Sequence, residues 1–322
     1  MTRTQGIAWA AIASLFTTLA ACDRSKPPPE PPPEPSLLER PPAALPKAVH
    51  GHRAHLVQGR IFAFGGFGET AVAWNGPIAG WTDVAPMPTH KAFFSSAVVD
   101  ERIYTVGAQA GQSAIERYDP TEDRWHTVLR SARLPKSHLA TAALGHQLYI
   151  LGGFPDAAGR LQVFDTRTGQ LSDAPPLPGF HAGDHFHYLA PLAGQLHVIG
   201  GMRFQPDSDV LDQHWALEGD AWRKRAPLPN PAMSKFGVHG VASGRFYLFS
   251  KLHQLHHVYD PATDRWSGKL APLERVIGMA ATVADGQRLY VLGGMRPDAL
   301  ATDTGSSWFD IGSNRWHHGV AR

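Results

Sequence analysis

The chain carries 18 histidines in 322 residues, and the densest group is HAGDHFH, residues 181 to 187. His185 and His187 are two apart, so on a continuous strand their rings face the same side. Two imidazoles at that spacing can share one metal ion, with Asp184 orienting a ring from behind. A third ligand has to come from another part of the chain, His138 or His52. No cysteine is in reach, so the site would be of the His/carboxylate type that suits zinc, copper or iron. The run HQLHH at 253 to 257 is a weaker group. His253 and His256 are three apart and face opposite sides of a strand, and His256 or His257 reads as a surface residue. His317 and His318 fall in the last strand and also read as surface residues. The sole cysteine is Cys22. It excludes an intrachain disulfide, a thiolate metal site and a catalytic cysteine in the folded domain.

The elements that position these residues repeat. Arg102 to Val128 reads as three short strands, RIYTV, AIERYDP and RWHTV, separated by Gly, Pro and Asp turns. Period-2 strands so punctuated predict an antiparallel sheet. One small sheet exposes two apolar faces, and the chain covers them by repeating the unit. A Gly pair or close relative follows the second strand at Gly65-Gly66, Gly107-Ala108, Gly152-Gly153, Gly200-Gly201 and Gly293-Gly294, and one copy reads Ser250-Lys251. An aromatic residue and Asp end the third strand at Tyr118-Asp119, Phe164-Asp165, Tyr259-Asp260 and Phe309-Asp310, with Trp74-Asn75 and Trp215-Ala216 in the weaker copies. A Trp opens the fourth strand at 81, 125, 222, 266 and 316, and Leu171 stands in the remaining copy. These anchors lie 44 to 51 residues apart, the period of propeller blades.

The Gly pair, the Tyr/Phe-Asp and the following Trp resemble the kelch repeat over about residues 47 to 320. Six copies imply an all-β, six-bladed β-propeller, a fold that hosts many activities. The repeated residues have structural work: the Gly pairs admit otherwise forbidden backbone angles, the aromatics pack between blades, and the Asp bonds turn amides.

In such a propeller the starts of the inner strands converge on a central channel, where ligand sites concentrate. Aligning the copies on their Gly pairs brings His50, His52, Arg53 and His55 to this rim, then His90, Lys91, Phe93 and Phe94, then Lys136 and His138. The next copies bring His181, Asp184, His185 and His187, then Met233, Lys235 and His239, then Arg275 and Met279. Asp184 is the one acid in the set. The candidate ligand-binding residues are His52, Arg53, His90, Lys91, His138, Asp184, Lys235 and Arg275, and the rim they form suits an anion such as a carboxylate. The alternative is that kelch repeats place polar groups here to satisfy channel-facing backbone.

Three enzymatic kelch families can be set beside the chain. A galactose-oxidase-like copper site needs a Cys cross-linked to a Tyr, which one Cys at position 22 does not supply. The Glu-x3-Asp-x3-His iron motif of nitrile-specifier proteins is not found. The bacterial sialic-acid epimerase, a periplasmic six-bladed kelch protein, looks similar in export, blade count and cationic mouth. That resemblance implies isomerisation of a sugar acid, with His185 or His187 as base and Arg53, Lys91 or Arg275 on the carboxylate.

The other segments read as delivery and spacing. Residues 1–21 form a secretory signal, with Arg3 before the apolar run Ile7 to Leu19. Leu19-Ala20-Ala21-Cys22 resembles the bacterial lipobox, which implies cleavage before Cys22 and lipidation of its sulfur. Asp23 then favours the inner membrane in that family. The alternative is an ordinary soluble periplasmic export signal. Residues 22–46 hold ten prolines between Pro27 and Pro46 and read as a semi-rigid tether of roughly 60 Å. Residues 47–322 are the propeller. Without Arg3, 29 basic face 28 acidic residues and no basic stripe appears, so no nucleic-acid partner is expected. The expectation is a monomer on the periplasmic side of the cell envelope, membrane-held through Cys22. It would bind an envelope protein or a small anionic or carbohydrate ligand.

Overall fold

The computed structural model describes residues 42–108, 110–154, 160–181, 184–203, 209–274, 276–296 and 301–319. Among them lie six four-stranded antiparallel sheets, and in each the strands pair in chain order. The innermost strands are Arg53–Val57, Ser95–Val99, Ala140–Leu144, Tyr188–Leu192, Val238–Ala242 and Ala281–Ala284. Each touches the next, and the sixth touches the first, so they form a closed ring around a channel. A two-stranded and a three-stranded ribbon, the latter built on Asp184–His185 and Met202–Arg203, extend the loops of two sheets. Among the described residues no helix is long and apolar enough to cross a membrane.

The second sheet shows how the pattern becomes structure. Ile103 lies opposite Tyr118, and Tyr118 lies opposite Trp125. Phe64 of the first sheet meets the Tyr118 and Trp125 rings edge-on, each at 4.9 Å between centroids. Between the fifth and sixth sheets Phe249 meets Trp316 edge-on at 4.9 Å and packs tilted on Phe309 at 4.6 Å. Each sheet therefore covers an apolar face of its neighbour, and the buried aromatics supply the inter-sheet core.

The Trp residues have a second task. The indole N–H of Trp125 donates to Ala85 O at 2.8 Å, and Trp222, Trp266 and Trp316 do the same to Pro175, Ala226 and Ala271. Each pins the connector leading into its own sheet. Leu171 lacks the donor. The repeated Asp residues bond turn amides as expected: Asp165 accepts from Arg167 N and Thr168 N, and Asp260 from Ala262 N. At Gly200 (φ +60°) an added Cβ would stand 2.3 Å from Ala232 O, so the close approach requires glycine. Ser250, where the pair is lost, instead donates its hydroxyl to Phe236 O.

The indole of Trp81 donates to Ala43 O, Ser306 Oγ donates to Pro42 O, and Leu45 N donates to Thr304 O. Leu45 and Val49 are buried in a core shared by the first and sixth sheets. Residues 42–46, which composition groups with the tether, thus hold the place that Pro-rich connectors hold before the other sheets. They form no strand, so within the described residues the ring closes by packing rather than by an exchanged strand.

Candidate ligand-binding channel mouth

The inner strands reach the channel through a common kink. Gly51, Phe93, His138, Phe186 and Met279 occupy the same register position and have φ between +52° and +69°. The kink hands backbone bonds from sheet to sheet: Gly51 N to Met279 O, His138 N to Phe93 O, Ser234 N to Phe186 O, and Met279 N to Lys235 O. Recurrence makes the kink architectural. Its occupants are less ordinary, because left-handed backbone disfavours large side chains, and Phe, His and Met stand where Gly costs nothing. In the fifth sheet a short 3-10 turn, Ser234–Phe236, replaces it.

Just below the kinks lies a cavity of about 170 Å³. Its lining includes Arg53, His55, Ser95, Ser96, Thr141, Lys235 and His239, with Phe93 and Phe186 at the sides. No described lining residue is Asp or Glu. At the level of Ala54, Ser96, Thr141, Leu189, His239 and Thr282 it meets a second, mainly apolar section of channel of about 430 Å³.

Arg53 is one of two cations in this cavity, with Lys235. Its Nη1 donates to His52 O at 3.0 Å, and the guanidinium lies 5.8 Å from the Phe94 ring. Burial lowers its pKa to about 10, which leaves it charged at neutral pH. His55 Nε2 lies 2.7 Å from Ser96 Oγ, and Ser95 Oγ lies 2.9 Å from Thr141 Oγ1. Burial, then repulsion from Arg53, holds His55 and His239 at about 4, so both rings are neutral near pH 7. Lys235 Nζ stands 5.7 Å from the Phe186 ring and 5.3 Å from the Phe236 ring. Above the cavity runs an aromatic arc: His50 stacks on Phe67, Phe67 meets Phe93 edge-on, and Phe93 stacks on His138 at 4.8 Å.

Arg53 and Lys235 therefore line the cavity, and His138 stands on its aromatic rim. His90 lies on the surface, with Nε2 3.1 Å from Glu69 Oε1. Lys91 is fully buried and ion-paired with Glu116, whose other oxygen accepts from Thr89 Oγ1. It is sealed into the second sheet rather than presented to a ligand. His52 is also fully buried, with both ring nitrogens lacking a hydrogen bond, and burial drives it to about 3. Asp184 is held by Arg203 and by the amide of His181, so its carboxylate orients the loop and not a histidine ring. Arg275 and Cys22 lie outside the described residues.

The same-side placement of His185 and His187 is not formed. Phe186 between them has φ +57°, which ends the strand and turns the chain. His187 Nδ1–H donates to Gly200 O at 2.7 Å and its ring packs on Phe180, while the His185 ring lies 5.9 Å from that of His138. Among the described residues no three His, Cys, Asp or Glu side chains are grouped so as to hold a metal ion. Sequence reasoning passed over Ser96 and Thr141. The signal was available, since both share a register position with His239 below the kink.

No family model matches the chain. It is 30% identical over 308 residues to Kelch-like protein terF of Aspergillus terreus, covering 78% of this chain and 62% of that protein. It is 28% identical over 225 residues to Kelch-like protein 36 of Bos taurus, covering 63% and 35%. Kelch domain-containing protein 3 of Bos taurus is 27% identical over 189 residues, covering 49% and 48%. The chain thus spans only about a third to three fifths of the length of these relatives. A solved structure of YjhT superposes with a TM-score of 0.69 at 14% identity, covering 88% of this chain and 100% of that one, a likeness of fold. Relatives by sequence and a neighbour by fold lead to one conclusion: the chain is a kelch-repeat β-propeller.

Proposed function

We propose that this propeller is a ligand-binding module that takes a small anion, a carboxylate above all, at the mouth of its channel. One observation carries the reading. Arg53 reaches a cavity whose other polar groups are imidazoles, hydroxyls and Lys235, with no carboxylate among the described lining residues to neutralise it. Arg53 is half-buried, a charge drawn out of water is normally paired, and the ligand is read as the partner missing here. Calorimetric titration of carboxylates, sugar acids included, tests this. Binding should weaken at least about tenfold in Arg53→Gln, as expected for loss of a charge-assisted bond. Equal binding by both proteins would refute it.

A second reading, isomerisation of a sugar acid, is favoured by the neutral imidazoles of His55 and His239 beside the guanidinium, since proton transfer next to a bound carboxylate needs such a base. Exchange between the forms of the bound sugar, followed by NMR, would show turnover, and its absence would leave a binding module. Kelch relatives also support a protein partner. An envelope protein bearing an acidic side chain would use the same mouth.

The delivery segments belong to this proposal as well: export by residues 1–21, lipidation at Cys22 and a tether holding a monomeric propeller at the periplasmic membrane surface. Cys22→Ala should release the protein from the membrane fraction. Retention of that variant would contradict the anchor.

A further inference from the structure

The cavity has room for more positive charge than Arg53 supplies. His55 and His239 stand in it on the first and fifth sheets. Each is neutral for two reasons, loss of water and repulsion from the guanidinium, in that order. An anion seated on Arg53 cancels the second and gives a ring N–H an acceptor. Neither ring is committed to a structural bond that a proton would break. His55 Nε2 faces the Ser96 hydroxyl, which can accept as readily as donate. His239 Nδ1 is buried without a hydrogen-bond partner, a backbone contact with Gly237 opposes the lowering by burial and Arg53 without offsetting it, and the ring meets Tyr188 edge-on at 4.8 Å.

We propose that the channel binds its anion together with one proton, taken from solvent onto His55 or His239. The proposal rests on the reading of the channel as an anion site. The step adds H⁺ to a ring nitrogen lone pair and changes no other bond. The groups facing the two rings allow it. His55 faces Arg53 from its own strand, Ser96 from the second sheet and Thr282 from the sixth. His239 faces Arg53 across the channel, the Tyr188 phenol from the fourth sheet and Lys235 from the turn before its own strand. None of these is an acid that already favours the charged ring. His187 also lines the cavity but does not fit the role, because its charged neighbours are Asp184 and Arg203 rather than Arg53.

The consequence is an affinity that climbs as pH falls. The probe is benzenesulfonate, which stays a monoanion throughout, so any pH dependence belongs to the protein. Titrated into the full chain, it should bind about tenfold more tightly at pH 5.5 than at pH 7.5, as expected if the bound-state imidazole returns to its ordinary range. At pH 6.5 the heats in two cationic buffers of different ionisation enthalpy should differ by the uptake of between half a proton and one proton, by the same linkage, as roughly expected for one group. His55→Gln combined with His239→Gln should bring the pH 5.5 affinity down to the pH 7.5 value, with circular dichroism confirming the fold. Binding that requires Arg53 but is flat with pH and takes up no proton would overturn this inference and leave the anion site standing. A pH dependence that survives the double variant would overturn it equally. No difference between wild type and Arg53→Gln at either pH would remove the anion site itself.

Discussion

Arg53 opens the first inner strand and Lys91 lies in the segment leading into the second, and the sequence presents both as rim cations. The structure treats them in opposite ways. Lys91 is fully buried and ion-paired with Glu116, which also accepts from Thr89 Oγ1. Burial lowers its pKa, and the Glu116 carboxylate works in the other direction. Arg53 keeps one carbonyl contact, an aromatic neighbour and an open cavity. A matched buried charge is part of the scaffold, whereas an unmatched charge facing a cavity marks where the scaffold leaves work for a ligand.

Removing the match at Lys91 should give the largest effect. Glu116→Gln strands a buried ammonium and should cost about 3–5 kcal/mol, read from the urea midpoint. A loss under about 1 kcal/mol, the range of surface pairs, would mean the pair is not sealed as described. Replacing both members, with Lys91→Met and Glu116→Leu, should recover most of that loss.

The next effect separates sealed imidazoles from those in the cavity. His197 and His214 form a buried pair, with Nδ1 of the first 2.9 Å from Nε2 of the second, and His214 Nδ1–H donates to Ala226 O. Burial comes first among the causes that hold them at about 3 and about 4. Their folded pKa values lie below the unfolded 6.5, so the unfolded chain binds protons first as pH drops. Stability is therefore intact above pH 6.5, falls as pH drops below it, and is fully lost for each group once pH passes its folded value. The slope is about 1.4 kcal/mol per pH unit for each histidine. His197→Leu should flatten the acid limb between pH 6 and 4 in chemical denaturation, and an unchanged limb would contradict the assignment. Saturating anion should leave this pair's contribution alone while protecting the cavity histidines.

Arg53→Met should change stability by less than about 1 kcal/mol, because no ion pair is lost and an apolar side chain of similar length replaces a costly charge. A loss approaching that of Glu116→Gln would make Arg53 scaffold and erase the contrast. A comparably small effect concerns the connectors. Trp81→Phe keeps the aromatic packing but leaves Ala43 O without its donor, at about 1 kcal/mol in thermal or urea unfolding.

What the sequence revealed follows the range of the interactions involved. The Gly pairs, the Tyr/Phe-Asp anchors and the Trp positions recur from copy to copy, and that recurrence marked them as structural. The exception at Ser250 was visible, but its replacement bond to Phe236 O was not. The Lys91–Glu116 pair joins residues 25 apart across a sheet, and no local pattern announces it. The expectation for His185 and His187 failed on a single backbone angle: period-2 reasoning holds only while the strand continues, and Phe186 interrupts it. Residues 42–46 look like tether because proline dominates both, yet Leu45 and the Trp81 bond tie them to the ring. Arg53 was legible as a cation. Its lack of a carboxylate partner among the described residues became visible only in three dimensions.

The most direct test of that unpaired charge is a crystal of the protein soaked in selenate, with the anion located by its anomalous scattering. The account predicts a peak inside the channel mouth within hydrogen-bond distance of the Arg53 guanidinium, lost in Arg53→Met crystals. Peaks confined to surface arginines, with none beside Arg53, would contradict it.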